Sequence, residues 1–356
     1  MDNIEKTRQE LIKKELGALM ITTPVNRLFT AGFISSAGVL LITENDAWYF
    51  TDSRYVEAAE ASVKNARVQL VTNEENETYY ARVKAILEER SITLVGFEDE
   101  AVTYSEYQKW TKKLRAELVP LGGTISDMRA VKTSGALEKM KKAQLIAEKS
   151  FEEVLPLIGK DITEKQLAAE LVYRFMKNGA DDKAFDPIIV SGPRSSMPHG
   201  VPGDDKICDG FLTIDFGAKL DSWCSDTTRT VCIGKPDDEM IKVYGVVLEA
   251  QEAGIKAAHA GAKCSDVDSA ARAVISDAGY GPYFGHGFGH GLGLEVHEAP
   301  TASKTSEDVL SEGSVISAEP GVYLPGRFGV RIEDVLYITG DGCENITNLT
   351  KKLIVL

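Results

Sequence analysis

The chain has 356 residues, of which 43% are hydrophobic and 26% charged, with 31 glycines and a formal net charge of −14 at pH 7. Those values describe a globular chain long enough for two domains and a sizeable core, and they exclude disordered and collagen-like classes. The acidic excess also argues against a nucleic-acid partner, because affinity for a polyanion rests on neutralising its phosphates with Lys and Arg.

Residues 2–16 carry Ile4, Leu11, Ile12 and Leu16 among charges, a pattern that predicts an amphipathic helix ending at Gly17. Strands are expected at 18–22, 37–43, 47–51, 67–72 and 93–98, with helices at 53–64 and 76–90 among them and a further helix at 104–118. This is the texture of an α/β domain. Pro120, Gly122 and Gly123 mark a turn, and the short polar residues around 123–135 set the boundary between a first domain, 1–124, and a second, 125–356. The second domain opens with helices at 136–158 and 163–178 and turns to strands at 186–192, 210–220 and 227–234. Helices follow at 237–260 and 265–279, then strands at 314–324 and 330–339. No tandem repeat is visible.

The N-terminal segment MDNIEKTRQELIKKELG lacks the apolar core of a secretory signal, and no window approaches the ~20 apolar residues of a membrane span. Five cysteines without a CxxC pair fit reduced thiols better than a disulfide framework. The expected location is the cytoplasm, with no membrane partner.

Three of the five histidines lie in YFGHGFGHGLGLEVHEAP, residues 283–300: His286, His290 and His297. Glycine at this density costs backbone entropy on folding, so the segment needs a reason beyond core packing; close approach of backbone and ligand is one. A solvated glycine-rich loop is the plain alternative. Four carboxylates weigh against it, because each stands on an apolar strand pattern. Asp215 ends FLTID, Asp226 follows Trp223 and Cys224, Glu319 ends VISAE, and Glu333 interrupts VRIEDVLYI. Any one of these is readable as a cap or an ion pair, but together they require a common partner, since an unpaired buried carboxylate costs several kcal/mol or shifts its pKa. Carboxylate oxygens with one imidazole suit Mn²⁺, Co²⁺, Fe²⁺ or Zn²⁺ rather than Cu⁺. Two divalent ions cancel four negative charges, whereas one leaves strong repulsion. A pair of ions sharing a water is a hydrolytic site.

MPHGVPGDDKI (197–207), IDFGAKLDSWCSDTTRT (214–230), GHGFGHGLGLEVHEAP (285–300), SAEPGVY (317–323) and VRIED (330–334) together resemble the metallopeptidases of the pita-bread fold. That family includes methionine aminopeptidases, Xaa-Pro aminopeptidases and Xaa-Pro dipeptidases. FISSAGVLLITENDAWYFTDSRYVEAA (33–59) resembles the N-terminal domain of its creatinase and prolidase branch, which methionine aminopeptidases lack. The resemblance implies an α/β N-terminal domain of creatinase/prolidase type followed by an α+β pita-bread catalytic domain. It implies two divalent ions per chain, Mn²⁺ first and Co²⁺, Zn²⁺ or Fe²⁺ as alternatives. Asp215 would chelate one ion, His290 and Glu319 the other, and Asp226 and Glu333 would bridge both.

His199 and His297 match the family's two non-ligand histidines, placed to hydrogen-bond the scissile carbonyl or the leaving nitrogen, while Glu319 would also shuttle a proton. His286 would shape the pocket, and Thr228 and Arg331, adjacent to ligand positions, would orient carboxylates. His259 is expected to be structural or exposed. The implied activity is hydrolysis of the bond between an N-terminal residue and a following proline, on small proline-containing peptides. Many prolidases place an arginine directly after HEAP, where this chain has Thr301, so the aminopeptidase reading leads and the dipeptidase is the alternative, with Arg327, His297 or a partner-subunit residue as its carboxylate clamp. An inactive binding protein is a remote alternative, because no ligand position is substituted. The resemblance also implies a homodimer in which one subunit's N-terminal domain closes the partner's cleft.

Overall fold

Residues 2–72, 74, 77–159 and 161–356 are described by the computed structural model, and they fall into two units, Met1–Met128 and Arg129–Leu356. The first unit runs α1 (Asn3–Lys13), β1 (Ala18–Ile21), α2 (Pro24–Ala31), β2 (Val39–Thr43), β3 (Ala47–Thr51), α3 (Val56–Ser62) and β4 (Arg67–Leu70). It continues with α4 (Tyr79–Glu89), β5 (Leu94–Phe97), α5 (Tyr104–Lys113) and β6 (Glu117–Pro120), and α6 (Thr124–Ala130) runs across the limit at Met128. The strands form one mixed sheet in the order β4-β3-β2-β1-β5-β6. Every residue of β1, β2 and β3 is buried, as unbroken apolar runs require when both faces of a sheet are covered.

Three local expectations need correction. The helix expected over 104–118 stops at Lys113, and Glu117–Pro120 becomes an edge strand parallel to β5. A short apolar run does not distinguish helix from strand by periodicity, and Pro120 is tolerated because the strand is at the edge. Helix α2 was not expected; its signals are Pro24 at its first turn and Gly32 at its left-handed C-cap, φ 78°. The polar boundary stretch contains α6. The helix expected over 76–90 is seen as α4, and Asn76 lies outside the described residues.

The second unit begins with α7 (Ser134–Val154), α8 (Glu164–Lys177), β7 (Asp182–Lys183), β8 (Ile188–Ser191), β9 (Gly210–Phe216), β10 (Ala218–Leu220), β11 (Trp223–Cys224) and β12 (Thr227–Ile233). Then come α9 (Asp238–Ala257), α10 (Cys264–Asp277), β13 (Gly289–Gly291), β14 (Glu298–Ala302), β15 (Val315–Ala318), β16 (Gly321–Leu324), β17 (Phe328–Arg331), β18 (Asp334–Ile338) and β19 (Cys343–Asn345). Antiparallel sheets β12-β9-β8 and β14-β13-β15-β18-β19 carry most of the site. Helices α7 and α8 bury Phe151, Leu171 and Phe175 with Ile189, Ile214 and Phe216 of the first sheet. Helices α9 and α10 bury Val247, Ala271 and Ile275 with Phe288, Ile316 and Ile332. All five cysteines are unpaired, and no helix among the described residues is long and apolar enough to cross a membrane.

Candidate metal centre

Strand register places the acidic residues. Asp215, near the end of β9, lies opposite Thr228 on β12, and Asp226 immediately precedes that strand. Glu333 sits between β17 and β18, where its N–H donates to the Thr228 carbonyl at 3.1 Å. Glu319 follows β15, with its N–H on the Phe288 carbonyl at 2.8 Å. A buried glutamine ties the last two together: Gln251 of α9 donates to the carbonyls of Ala318 and Ile332, at 3.1 and 3.3 Å, each one residue before a carboxylate.

His290 lies in β13, flanked by glycines whose necessity is now explicit. A Cβ on Gly289 would come within 2.0 Å of the Ser317 carbonyl oxygen, and one on Gly291 within 2.2 Å of the Ala299 carbonyl oxygen. Neighbouring backbone is enough to account for these two glycines.

The His290 Nδ1–H donates to the Gly291 carbonyl at 3.1 Å, so Nε2 is the nitrogen left to face a cation; burial works against its protonation, but contact with Glu319 outweighs that and raises the imidazole's pKa. That nitrogen faces Glu319 Oε1 at 3.2 Å and Asp226 Oδ2 at 3.6 Å. Asp226, His290 and Glu333 each bring one ligand atom to within 4.8 Å of the others. Beside them, Arg331 Nη2 donates to Asp215 Oδ2 at 2.7 Å, and its Nε donates at 3.0 Å to the Thr228 hydroxyl. That hydroxyl donates in turn to Glu333 Oε2 at 2.6 Å.

The cluster is poorly balanced without a cation. Burial, followed by repulsion from Glu333 and Asp215, pushes the Asp226 carboxyl well above the usual range; burial, then Glu319 and Asp215, does the same to Glu333. Burial also raises Asp215 against the pull of Arg331. Burial works against Glu319 as well, but its contact with His290 outweighs that and holds it at about 2. Asp215 Oδ1 is buried with no hydrogen-bond partner among the described residues. Orphaned oxygen, crowded carboxylates and an imidazole with its outer nitrogen fixed by a carbonyl are what a divalent cation fits.

The remaining histidines divide by hydrogen bonding. His286 donates from Nδ1 to the Gly287 carbonyl at 2.8 Å, so its Nε2 accepts from the Tyr323 hydroxyl at 2.9 Å; that hydroxyl accepts from Arg331 Nη1 at 2.8 Å. A chain of donors thus runs from the guanidinium that holds Asp215 to His286, and both ring nitrogens are used. His199 and His297 are exposed on the wall of a cavity of about 1100 Å³ that also contains the five candidate ligands. Among the described residues neither ring makes a hydrogen bond. His297 stands edge-on to His290, with centroids 4.3 Å apart, and burial followed by the charge on His290 lowers its pKa.

Thr301 lines the same cavity, opposite His290 in the β13–β14 register, with its N–H on Asp308 Oδ2 at 2.8 Å. Arg327 is paired with Glu239 at 3.1 Å and is not part of the cavity wall. His259 is exposed, with Nδ1 on the Ala260 carbonyl at 2.9 Å, and is likewise away from the wall.

Sequence reasoning missed Tyr323, Gln251 and the wall supplied by α8. Lys165, Ala168, Ala169 and Val172 line the cavity at spacings that share one helical face, so the spacing itself was the available signal. Gln251 had a comparable signal, a polar side chain at a buried periodic position of α9.

Known proteins resemble this chain over nearly its whole length. The model of the creatinase/prolidase N-terminal domain matches residues 3–131, and that of metallopeptidase family M24 matches residues 138–340. An Xaa-Pro dipeptidase of Pyrococcus furiosus is 35% identical over 99% of both chains. Among solved structures, an Xaa-Pro dipeptidase from Bacillus anthracis superposes with a TM-score of 0.95 at 37% identity, covering 99% of each chain. An X-Pro aminopeptidase from Thermotoga maritima superposes with a TM-score of 0.91 at 36% identity, covering 98% of this chain and 100% of that one. With an α/β creatinase/prolidase-type domain followed by a pita-bread catalytic domain that carries a candidate metal site, the chain belongs to metallopeptidase family M24.

Proposed function

We propose that this protein is an Xaa-Pro peptidase that holds two divalent ions, with Mn²⁺ the first candidate, and that it acts foremost as an Xaa-Pro dipeptidase. The observation that carries the reading is the convergence of Asp215, Asp226, His290, Glu319 and Glu333 on one cavity wall, in a chain whose full length matches named Xaa-Pro peptidases. Asp215 would hold one ion, His290 and Glu319 the other, with Asp226 and Glu333 between them. Ions held there supply Lewis acidity and an acidified water.

The chain's own residues do the rest. Glu319 accepts a hydrogen bond from Ser317 Oγ at 3.1 Å beside the candidate ligands and would take a proton from water and return it to the leaving nitrogen. Proline leaves as a secondary amine and needs that proton. The unengaged rings of His199 and His297 are available to the scissile carbonyl and the leaving group. Thr228 and Arg331 keep Glu333 and Asp215 in place, and His286, engaged at both nitrogens, shapes the wall.

The dipeptidase reading rests on the Pyrococcus and Bacillus relatives, both named Xaa-Pro dipeptidases. The aminopeptidase reading has one observation of its own: Thr301, on the cavity wall, offers no charge to a terminal carboxylate. Comparing kcat/KM on Xaa-Pro with that on Xaa-Pro-Yaa tests the choice. Preference for the dipeptide supports the first reading, and preference for the tripeptide the second. Thr301→Arg moves the ratio toward dipeptides if the Thr301 wall faces the substrate carboxylate. Domain limits of 1–124 and 125–356, cytoplasmic location and a homodimer complete the proposal.

A further inference from the structure

His297 presents a puzzle: its ring stands in the cavity with no hydrogen bond among the described residues, yet a group that donates to a transition state needs a fixed position. Its orientation therefore depends on the backbone that carries it, and the next residue is tied down by buried charge. Glu298 is not among the residues of the cavity wall, and its side chain is 3% exposed. Lys132 Nζ, on a side chain 0% exposed, donates to Glu298 Oε2 at 3.1 Å. The guanidinium of Arg129, 5% exposed, donates to Glu298 Oε1 and, at 2.6 Å, to Glu295 Oε2. The N–H of Glu295 donates to Glu298 Oε1 at 3.0 Å, closing the turn that leads into Val296 and His297.

The cations are themselves anchored. Lys132 donates from its backbone N–H to the Gly313 carbonyl at 2.8 Å, and Val131 bridges to Ser314, the residue before β15, the strand that Glu319 follows. Gly293 admits the arrangement, since a Cβ there would meet Glu298 Oε2 at 2.7 Å and Lys132 Cε at 2.9 Å. Two buried cations thus bind one buried carboxylate, and the second carboxylate, Glu295, balances the charge at the rim.

We infer that Arg129 and Lys132 are positioning residues: through Glu298 they fix the 293–298 turn and so hold His297 against the cavity without occupying its ring nitrogens. The inference rests on the catalytic reading of His297 given above.

A double-mutant cycle on the full-length, metal-loaded protein separates the two. Lys132→Met removes the ammonium at similar volume and is expected to lower kcat at least tenfold, with KM and metal content near wild type. In a His297→Ala background the same substitution is expected to change kcat less than twofold, because the group it positions is gone. Equal fold-losses in both backgrounds overturn the positioning inference while leaving His297 catalytic. Wild-type kcat in His297→Ala overturns the catalytic reading and the inference with it. Arg129→Lys keeps the charge but cannot reach both carboxylates, and it supplies the same cycle if Lys132→Met does not fold. Glu298→Gln combined with Lys132→Met restores charge balance; recovery of stability without recovery of kcat supports positioning, and recovery of both points to a purely structural cluster.

Discussion

Replacing Arg331 by methionine tests the electrostatic design of the centre most directly. The side chain is 3% exposed and donates to Asp215 at 2.7 Å, Tyr323 at 2.8 Å, Thr228 at 3.0 Å and the Pro198 carbonyl at 3.1 Å. Its loss leaves Asp215, whose second oxygen is already without a partner, among three further carboxylates. Two unit charges about 4 Å apart attract by about 4 kcal/mol at an effective dielectric of 20, and removing one partner of a buried pair costs about 3–5 kcal/mol. We expect metal-free Arg331→Met to lose about 3–5 kcal/mol of stability, read from urea midpoints at constant slope. A divalent cation gives Asp215 another positive neighbour, so the loss shrinks in the metal-loaded protein. A metal-free loss below about 1 kcal/mol, the value of an exposed ion pair, would refute the account of Arg331 as the buried counter-charge.

Metal analysis of fully loaded protein is expected to give two ions per chain, with activity abolished by chelation and restored by Mn²⁺ or Co²⁺; one ion at saturation removes the two-ion reading. His199→Ala and His297→Ala are expected to retain metal and lose about 10²–10³ in kcat, as for removal of an oxyanion donor, and wild-type turnover takes either residue out of the mechanism. The pH dependence of stability reports on Glu298. Burial raises that carboxyl, but the charges of Lys132 and Arg129 outweigh it and hold the pKa below the ordinary value. A depressed pKa stabilises the fold above the unfolded value of about 4.3 and loses that contribution as pH falls through the lower folded value, so Glu298→Gln is expected to lose less stability than wild type as pH falls below about 4.3. Equal acid slopes in the two proteins contradict the assignment.

The ligand-type residues were legible because each breaks a local rule: a carboxylate at the end of an apolar strand, a histidine set in glycine. The central strands were legible too, since β1, β2 and β3 are apolar throughout. The edge strand β6 was not, because a four-residue run after a helix carries no period of its own. Gln251, Tyr323, Arg129 and Lys132 were illegible for another reason. Each is an ordinary residue in an ordinary helix, strand or loop, and its importance comes from a partner between 8 and 169 positions away. The density of glycine around His290 was legible as a sign of close approach, but the sequence has no means of showing that Ser317 and Ala299 supply the backbone that passes beside them.

The two histidines that bind no neighbour show a common arrangement. His286 and His290 each give Nδ1–H to an adjacent carbonyl, which fixes ring and tautomer but commits that nitrogen. For His290 the commitment is useful, because only Nε2 is needed for a cation. A histidine that must meet a substrate whose carbonyl and nitrogen change along the reaction gains by keeping both nitrogens free, at the cost of losing its own anchor. In both cases the anchor has moved one residue along the chain: Arg331 holds the carbonyl of Pro198 before His199, and Lys132 with Arg129 holds the carboxylate of Glu298 after His297. Buried cations serve this purpose well, because their partners have no solvent to turn to and the held backbone therefore has one position rather than several. If His199 and His297 act as proposed, the rigidity needed for transition-state contact would be supplied from behind the wall, and the face turned to the peptide would stay chemically open.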